Sequence, residues 1–165
     1  TRKPLFIALL IWTFILMAVS QVINAPLRTP AAPASIVSFE LARTPERAQA
    51  IMDSWDATVR EFAALGLGFD YLFMPSYAIA IALGILLAAG RHPGAFAEIG
   101  AWLGWGVFAA AIFDAHENIG LWYVLLGAAN SAWPLLSYWC ALFKFGLILL
   151  GIAYALAGWV WRRHK

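Results

Sequence analysis

The stretch IFDAHENIGLW, residues 112–122, sets Asp114, His116, Glu117 and Asn118 inside an otherwise apolar run. That run, residues 99–126, exceeds the roughly 20 residues that a helix needs to cross a hydrocarbon layer about 30 Å thick. Each carboxylate carried into such a layer costs roughly 2.5–3.5 kcal/mol on insertion scales, so acids in a span face a protein interior or an aqueous cavity. The stretch therefore predicts a helix packed among other helices, with a polar face turned toward them.

Three further runs have the same length and character: residues 5–23, 67–89 and 135–161. Of 165 residues 63% are hydrophobic and only 12% charged, too apolar for a soluble domain of this size. The expectation is one transmembrane domain over residues 1–165, an all-α, integral membrane four-helix bundle. Arg2 and Lys3 ahead of the first run also fit a secretory leader, but Pro26 directly follows the small-residue site Asn24-Ala25 and disfavours cleavage, so a retained helix is predicted. Arg2 and Lys3, then Arg91, then Arg162, Arg163 and Lys165 all fall on one side of a four-span topology. Basic residues in short loops stay cytoplasmic, which predicts a multi-pass protein of the bacterial inner membrane with both termini cytoplasmic. Trp102, Trp122, Tyr123, Trp133, Tyr138, Trp159 and Trp161 near span ends read as interfacial anchors.

The first loop then lies on the periplasmic side, where Arg28, Arg43, Arg47 and Arg60 nearly balance Glu40, Glu46, Asp53, Asp56 and Glu61. Pro26, Pro30 and Pro33 make its opening an extended connector. Thr44 can cap a helix whose first residue is Pro45. From there Ala48, Ile51, Met52, Trp55, Val59 and Phe62 recur at helical spacing, which predicts an amphipathic periplasmic loop helix over about 45–64. Its simplest role is to shield the bundle top, with a lid over a site as the functional alternative. Further along, Pro75 should loosen a turn of the second span, and Gly90, Pro93 and Gly94 mark a short turn after it. Gly100 and Gly104 form a GxxxG suited to close helix approach.

Four charges lie within spans: Asp70, Asp114, Glu117 and Lys144. At a rise of about 1.5 Å per residue all four reach a common layer in the outer half, with Lys144 about 13 Å down the fourth helix. At about 100° per residue Asp114, Glu117 and Asn118 share one face, Met74 and Tyr77 share that of Asp70, and Ser137 and Cys140 share that of Lys144. Gln21 and Asn24 stand at similar height on the first span. His116 points roughly opposite to Asp114, Glu117 and Asn118, which removes a one-helix Asp/His/Glu ligand set; it is expected at a neighbouring chain, a headgroup or the interface. No HExxH or CxxC spacing exists and Cys140 is single, so no metal site is predicted. The formal charge of +2 without basic runs gives no nucleic-acid signal.

Three acids against one ammonium would leave two uncompensated negative charges in a water-poor layer, which protonation, a cation, a cationic ligand or an inward swing of Arg60 would relieve. A single pair would be packing glue; four charges at one height, with amides and a phenol around them, favour a site.

At FELARTPERAQAIMDSW, DYLFMPSY, FDAHEN and LFK the chain resembles an uncharacterised family of small four-span bacterial inner-membrane proteins. The resemblance implies a four-helix fold and supplies no activity; at His116, where a small or apolar residue is expected, the chain departs from it.

The leading functional expectation is a membrane binding or accessory protein in which Asp70, Tyr77, Asp114, Glu117, Asn118 and Lys144 hold a lipid headgroup, a quinone-like ligand or a cation. Its partners would be membrane lipids and a larger membrane complex or a homo-oligomer. The first alternative is an enzyme acting on a lipid at the outer leaflet, with Asp114 and Glu117 as acid and base tuned by Lys144. The second is proton- or cation-coupled transport, against which the Gly-, Ala- and Trp-rich inner half of the third span argues.

Overall fold

The computed structural model describes residues 2–128 and 132–160. Trp161, Arg162, Arg163 and Lys165, which carry part of the charge and anchor expectations, lie outside the described residues.

Six helices follow one another: α1 (Arg2–Asn24), α2 (Ile36–Glu40), α3 (Pro45–Asp53), α4 (Ala57–Ala89), α5 (Ala95–Leu125) and α6 (Ala132–Val160). Among the described residues four helices are long and apolar enough to cross a membrane: α1 with its short 3-10 extension, α4, α5 and α6. They pack side by side as an all-α bundle. α4 is the central member, set between α1 on one flank and the α5–α6 pair on the other. α1 packs chiefly on α4, with Leu16 as its one buried side chain.

The loop between α1 and α4 is a folded lid across one end of the bundle. Leu27, Phe39, Ile51 and Trp55 enter a core shared with Leu67 on α4 and Leu121 and Val124 on α5. The Trp55 indole donates to the Leu27 carbonyl at 2.9 Å, and its ring meets Phe39 edge-on at 5.2 Å. Thr44 accepts from the Arg47 amide and Pro45 opens α3, as the sequence predicts.

The amphipathic helix expected over 45–64 is not one helix. α3 ends at Asp53, where the Ser54 hydroxyl donates to the Ile51 carbonyl, and Asp56 caps a new helix by accepting from the Val59 amide. An N-cap side chain that satisfies an early amide starts a helix in a new direction, so Ala57 to Leu65 are the first turns of α4 rather than lid. The second span is thereby longer than the apolar run 67–89 indicates. It runs through Pro75 without interruption, and the Ser76 hydroxyl donates to the Leu72 carbonyl beside it.

Small residues set the packing at the far end. A side chain at Gly151 would meet Val107 at 2.9 Å, one at Gly158 would meet Ala88 at 2.7 Å, and one at Gly100 would collide with the Tyr154 hydroxyl. Gly104, the other half of the GxxxG, faces open space, so only the Gly100 half of that motif serves close packing within the chain. Ile85, Ala88, Val107 and Tyr154 fill the resulting apolar core.

The lid core hangs on Trp55, which is 2% exposed. Trp55→Ala should cost about 3–5 kcal/mol of lid stability, seen as faster proteolysis within residues 28–44 at unchanged helix content by circular dichroism.

Candidate functional site

Helix periodicity carries the site's inner wall. α5 presents Asp114, Glu117 and Asn118 at spacings of three and four, so all three lie on the face turned to α4 and α6. Each is at most 4% exposed. α6 turns Ser137, Cys140 and Lys144 inward in the same way, and Lys144 is 5% exposed.

The Lys144 ammonium is the hub. Its Nζ lies 2.9 Å from the Glu117 carboxyl and donates to Oε1, and it donates to Asp114 Oδ1 at 3.1 Å. The other Asp114 oxygen accepts from the Tyr77 hydroxyl of α4 at 2.9 Å. Asn118 Nδ2 stands 3.3 Å from Asp70 Oδ2 and 3.3 Å from the Leu67 carbonyl, so Asp70 joins the cluster through an amide rather than directly. The Ser137 hydroxyl donates to the Glu117 carbonyl at 3.2 Å, and a side chain at Gly120 would collide with that hydroxyl. Glycine at 120 thus lets α6 approach closely enough for Lys144 to reach α5.

The third carboxylate comes from the lid. Glu40, the last residue of α2, places Oε2 3.6 Å from Lys144 Nζ and is 4% exposed. By charge balance alone it reads as one of the loop acids on the outer face. The signal available was its apolar flank, FELA, with Phe39 and Ala42 also buried. α2 is flanked by Ser35 and Arg43, both at positive φ (59° and 63°), a conformation uncommon for such residues. The Ser35 hydroxyl bonds to the Asn24 carbonyl, and the Arg43 guanidinium lies over the Tyr138 ring of α6, 5.6 Å from its centroid. These contacts hold α2 so that its C-terminal carboxylate points into the bundle.

The structure therefore brings together Asp70, Tyr77, Asp114, Glu117, Asn118 and Lys144, and adds Glu40. It leaves others out. Gln21 is exposed, and Asn24 turns to Ser20 on its own helix. Arg60 does not swing in: its Nε and Nη2 both donate to the Met52 carbonyl, at 3.2 and 2.8 Å. His116 is exposed and bonds its own helix at the Ile112 carbonyl, 2.8 Å away. Among the described residues no set of three or more His, Cys, Asp or Glu side chains is arranged to hold a metal ion.

Around one ammonium stand three carboxyls, so full ionisation leaves two surplus negative charges before Asp70 is counted. Burial pushes the Glu40 carboxyl above its ordinary range, Asp114 adds to the rise, and Lys144 opposes it. Glu40 Oε2 and Glu117 Oε2 share the Lys144 ammonium, at 3.6 and 2.9 Å, and the buried Asn118 Oδ1 accepts no hydrogen bond. The cluster is rich in acceptors and short of donors.

Two outcomes follow from this balance. A carboxyl whose pKa is higher docked than free favours docking most when protonated, so the Glu40 contribution is fully present below its free value of about 4.5 and is lost as pH rises through the docked value. Hydrogen exchange in 36–40, corrected for intrinsic rates, should quicken over that range and lose this dependence in Glu40→Gln. Lys144→Met removes the cation and leaves buried acids unpaired, at a cost of about 3–5 kcal/mol; the thermal midpoint should fall, and adding Glu117→Gln should restore part of it.

No protein-family model, no curated protein and no solved structure matches this chain.

Proposed function

We propose that the protein is a small binding or accessory protein of the bacterial inner membrane, with both termini cytoplasmic and the lid on the periplasmic side. Its buried cluster, in the outer half of the bilayer, takes an ammonium group. The observation that carries this is the imbalance of the cluster: three buried carboxyls, Glu40, Asp114 and Glu117, share the single ammonium of Lys144. A site of that composition is completed by a positive charge or a strong donor. A quinone-like ligand offers carbonyl acceptors and would add to the surplus, so a cationic group is the better match.

The lid adds to this reading, because the residue that closes the bundle end, Glu40, is also a member of the cluster. Closure and occupancy then act on the same charges. The apolar core of Ile85, Ala88, Val107 and Tyr154 fills the opposite half of the bundle, which favours holding a ligand over passing it inward.

The test is a thermal scan of the protein in lipid nanodiscs with sodium, potassium or methylammonium chloride, ionic strength being held constant with N-methylglucamine chloride. Methylammonium should raise the midpoint in a saturable way where sodium and potassium do not, and Glu117→Gln should abolish the rise. An equal response to every salt, with a midpoint that follows pH alone, would reduce the cluster to a proton-holding clasp between lid and bundle and defeat the proposal.

A further inference from the structure

A second feature lies outside the cluster, where α4 begins and α5 ends. A groove of about 340 Å³ is lined by Ala57, Arg60, Glu61 and Ala64 of α4 and by Trp122, Leu125 and Leu126 of α5. Its two charged side chains have opposite sign. Arg60 is fixed by its two bonds to the Met52 carbonyl, which leaves three of the five guanidinium N–H groups for another acceptor. Leu126 is 68% exposed and Trp122 44%, the setting of an aromatic at a membrane interface.

The groove continues along the seam between the helices. At about 100° per residue Gly68 and Tyr71 fall on the same face of α4 as Ala57, Arg60, Glu61 and Ala64. A side chain at Gly68 would meet nothing within 4 Å, so the seam is open there. It closes at Tyr71, whose hydroxyl donates to the Ala115 carbonyl of α5 at 3.3 Å. A charged rim of both signs therefore leads into an apolar trough running some 16 Å toward the bilayer centre, by the rise of about 1.5 Å per residue from Arg60 to Tyr71.

We propose that this seam is a specific phospholipid site for a headgroup carrying a phosphate and a primary ammonium, with the phosphate on Arg60, the ammonium on Glu61 and an acyl chain along Ala64 and Gly68 as far as Tyr71. Arginine suits phosphate through its planar array of donors, and a carboxylate beside it selects a partner that can donate. A headgroup bearing only negative charge would meet Glu61 unfavourably. This proposal stands apart from the Lys144 cluster, since Arg60 bonds the Met52 carbonyl and neither Arg60 nor Glu61 is paired with Lys144, Asp114 or Glu117.

The experiment is native mass spectrometry of the full chain released from phosphatidylcholine nanodiscs containing a minor fraction of either phosphatidylethanolamine or phosphatidylglycerol. One retained phosphatidylethanolamine per chain is expected, in preference to the other two lipids. Arg60→Gln should lower retention about tenfold. Gly68→Phe, which fills the seam at a position where the added ring meets no protein atom near its Cβ, should abolish it while the thermal midpoint stays within the wild-type range. Equal retention of phosphatidylglycerol, or a phosphatidylethanolamine adduct that survives Gly68→Phe, would overturn the assignment.

Discussion

One ammonium organises this protein. Lys144 reaches from α6 to two acids on α5 and to a third on the lid, so three separate elements meet at a single positive charge. A charge at that depth is tolerable only with partners, and partners at that depth are tolerable only with it. The constraint is mutual, and it explains features otherwise unconnected. Glycine at 120 lets α6 come close to α5, Ser137 seals that approach by donating to the Glu117 carbonyl, and α2 carries its carboxylate inward between two residues of positive φ.

Around that hub the bundle divides into two kinds of core. At the lid end large side chains, Phe39, Trp55, Leu67 and Leu121, seal the space above the charges. At the other end glycines at 100, 151 and 158 bring helix backbones together around Tyr154 and Val107. The first arrangement excludes water from the cluster; the second relies on close van der Waals contact, the main source of helix association where surrounding lipid is as apolar as the side chains. A polar layer between two sealed apolar layers has its electrostatics strengthened on both sides.

Much of this is legible in the amino-acid order because periodicity is a strong signal in long helices. Asp114, Glu117 and Asn118 on one face, His116 on the other, and Lys144 with Ser137 and Cys140 all follow from 100° per residue. Two kinds of information do not. Glu40 is brought to the site by the path of an irregular loop, and no helical repeat reports where a single carboxylate at the end of a five-residue helix will point. The break at Ser54 and Trp55 is equally hidden, since the apolar spacing from Ala48 to Phe62 continues through it. Only the capping potential of Asp56 marks the restart, and that competes with its plain reading as a charge on the outer face. Arg60 and Glu61 accordingly change from lid residues to the rim of a transmembrane seam.

The position of Lys144 in the chain has a bearing on biosynthesis. Chains emerge from the ribosome N-terminus first, so Glu40, Asp70, Asp114 and Glu117 are all made before Lys144, the cation at the centre of the cluster. Until the last helix enters the bilayer, those acids must travel as neutral groups or remain near water. The final span is thus the step that supplies their cation, and a nascent chain arrested ahead of it holds Asp114 and Asp70 with only Tyr77 and Asn118 as partners.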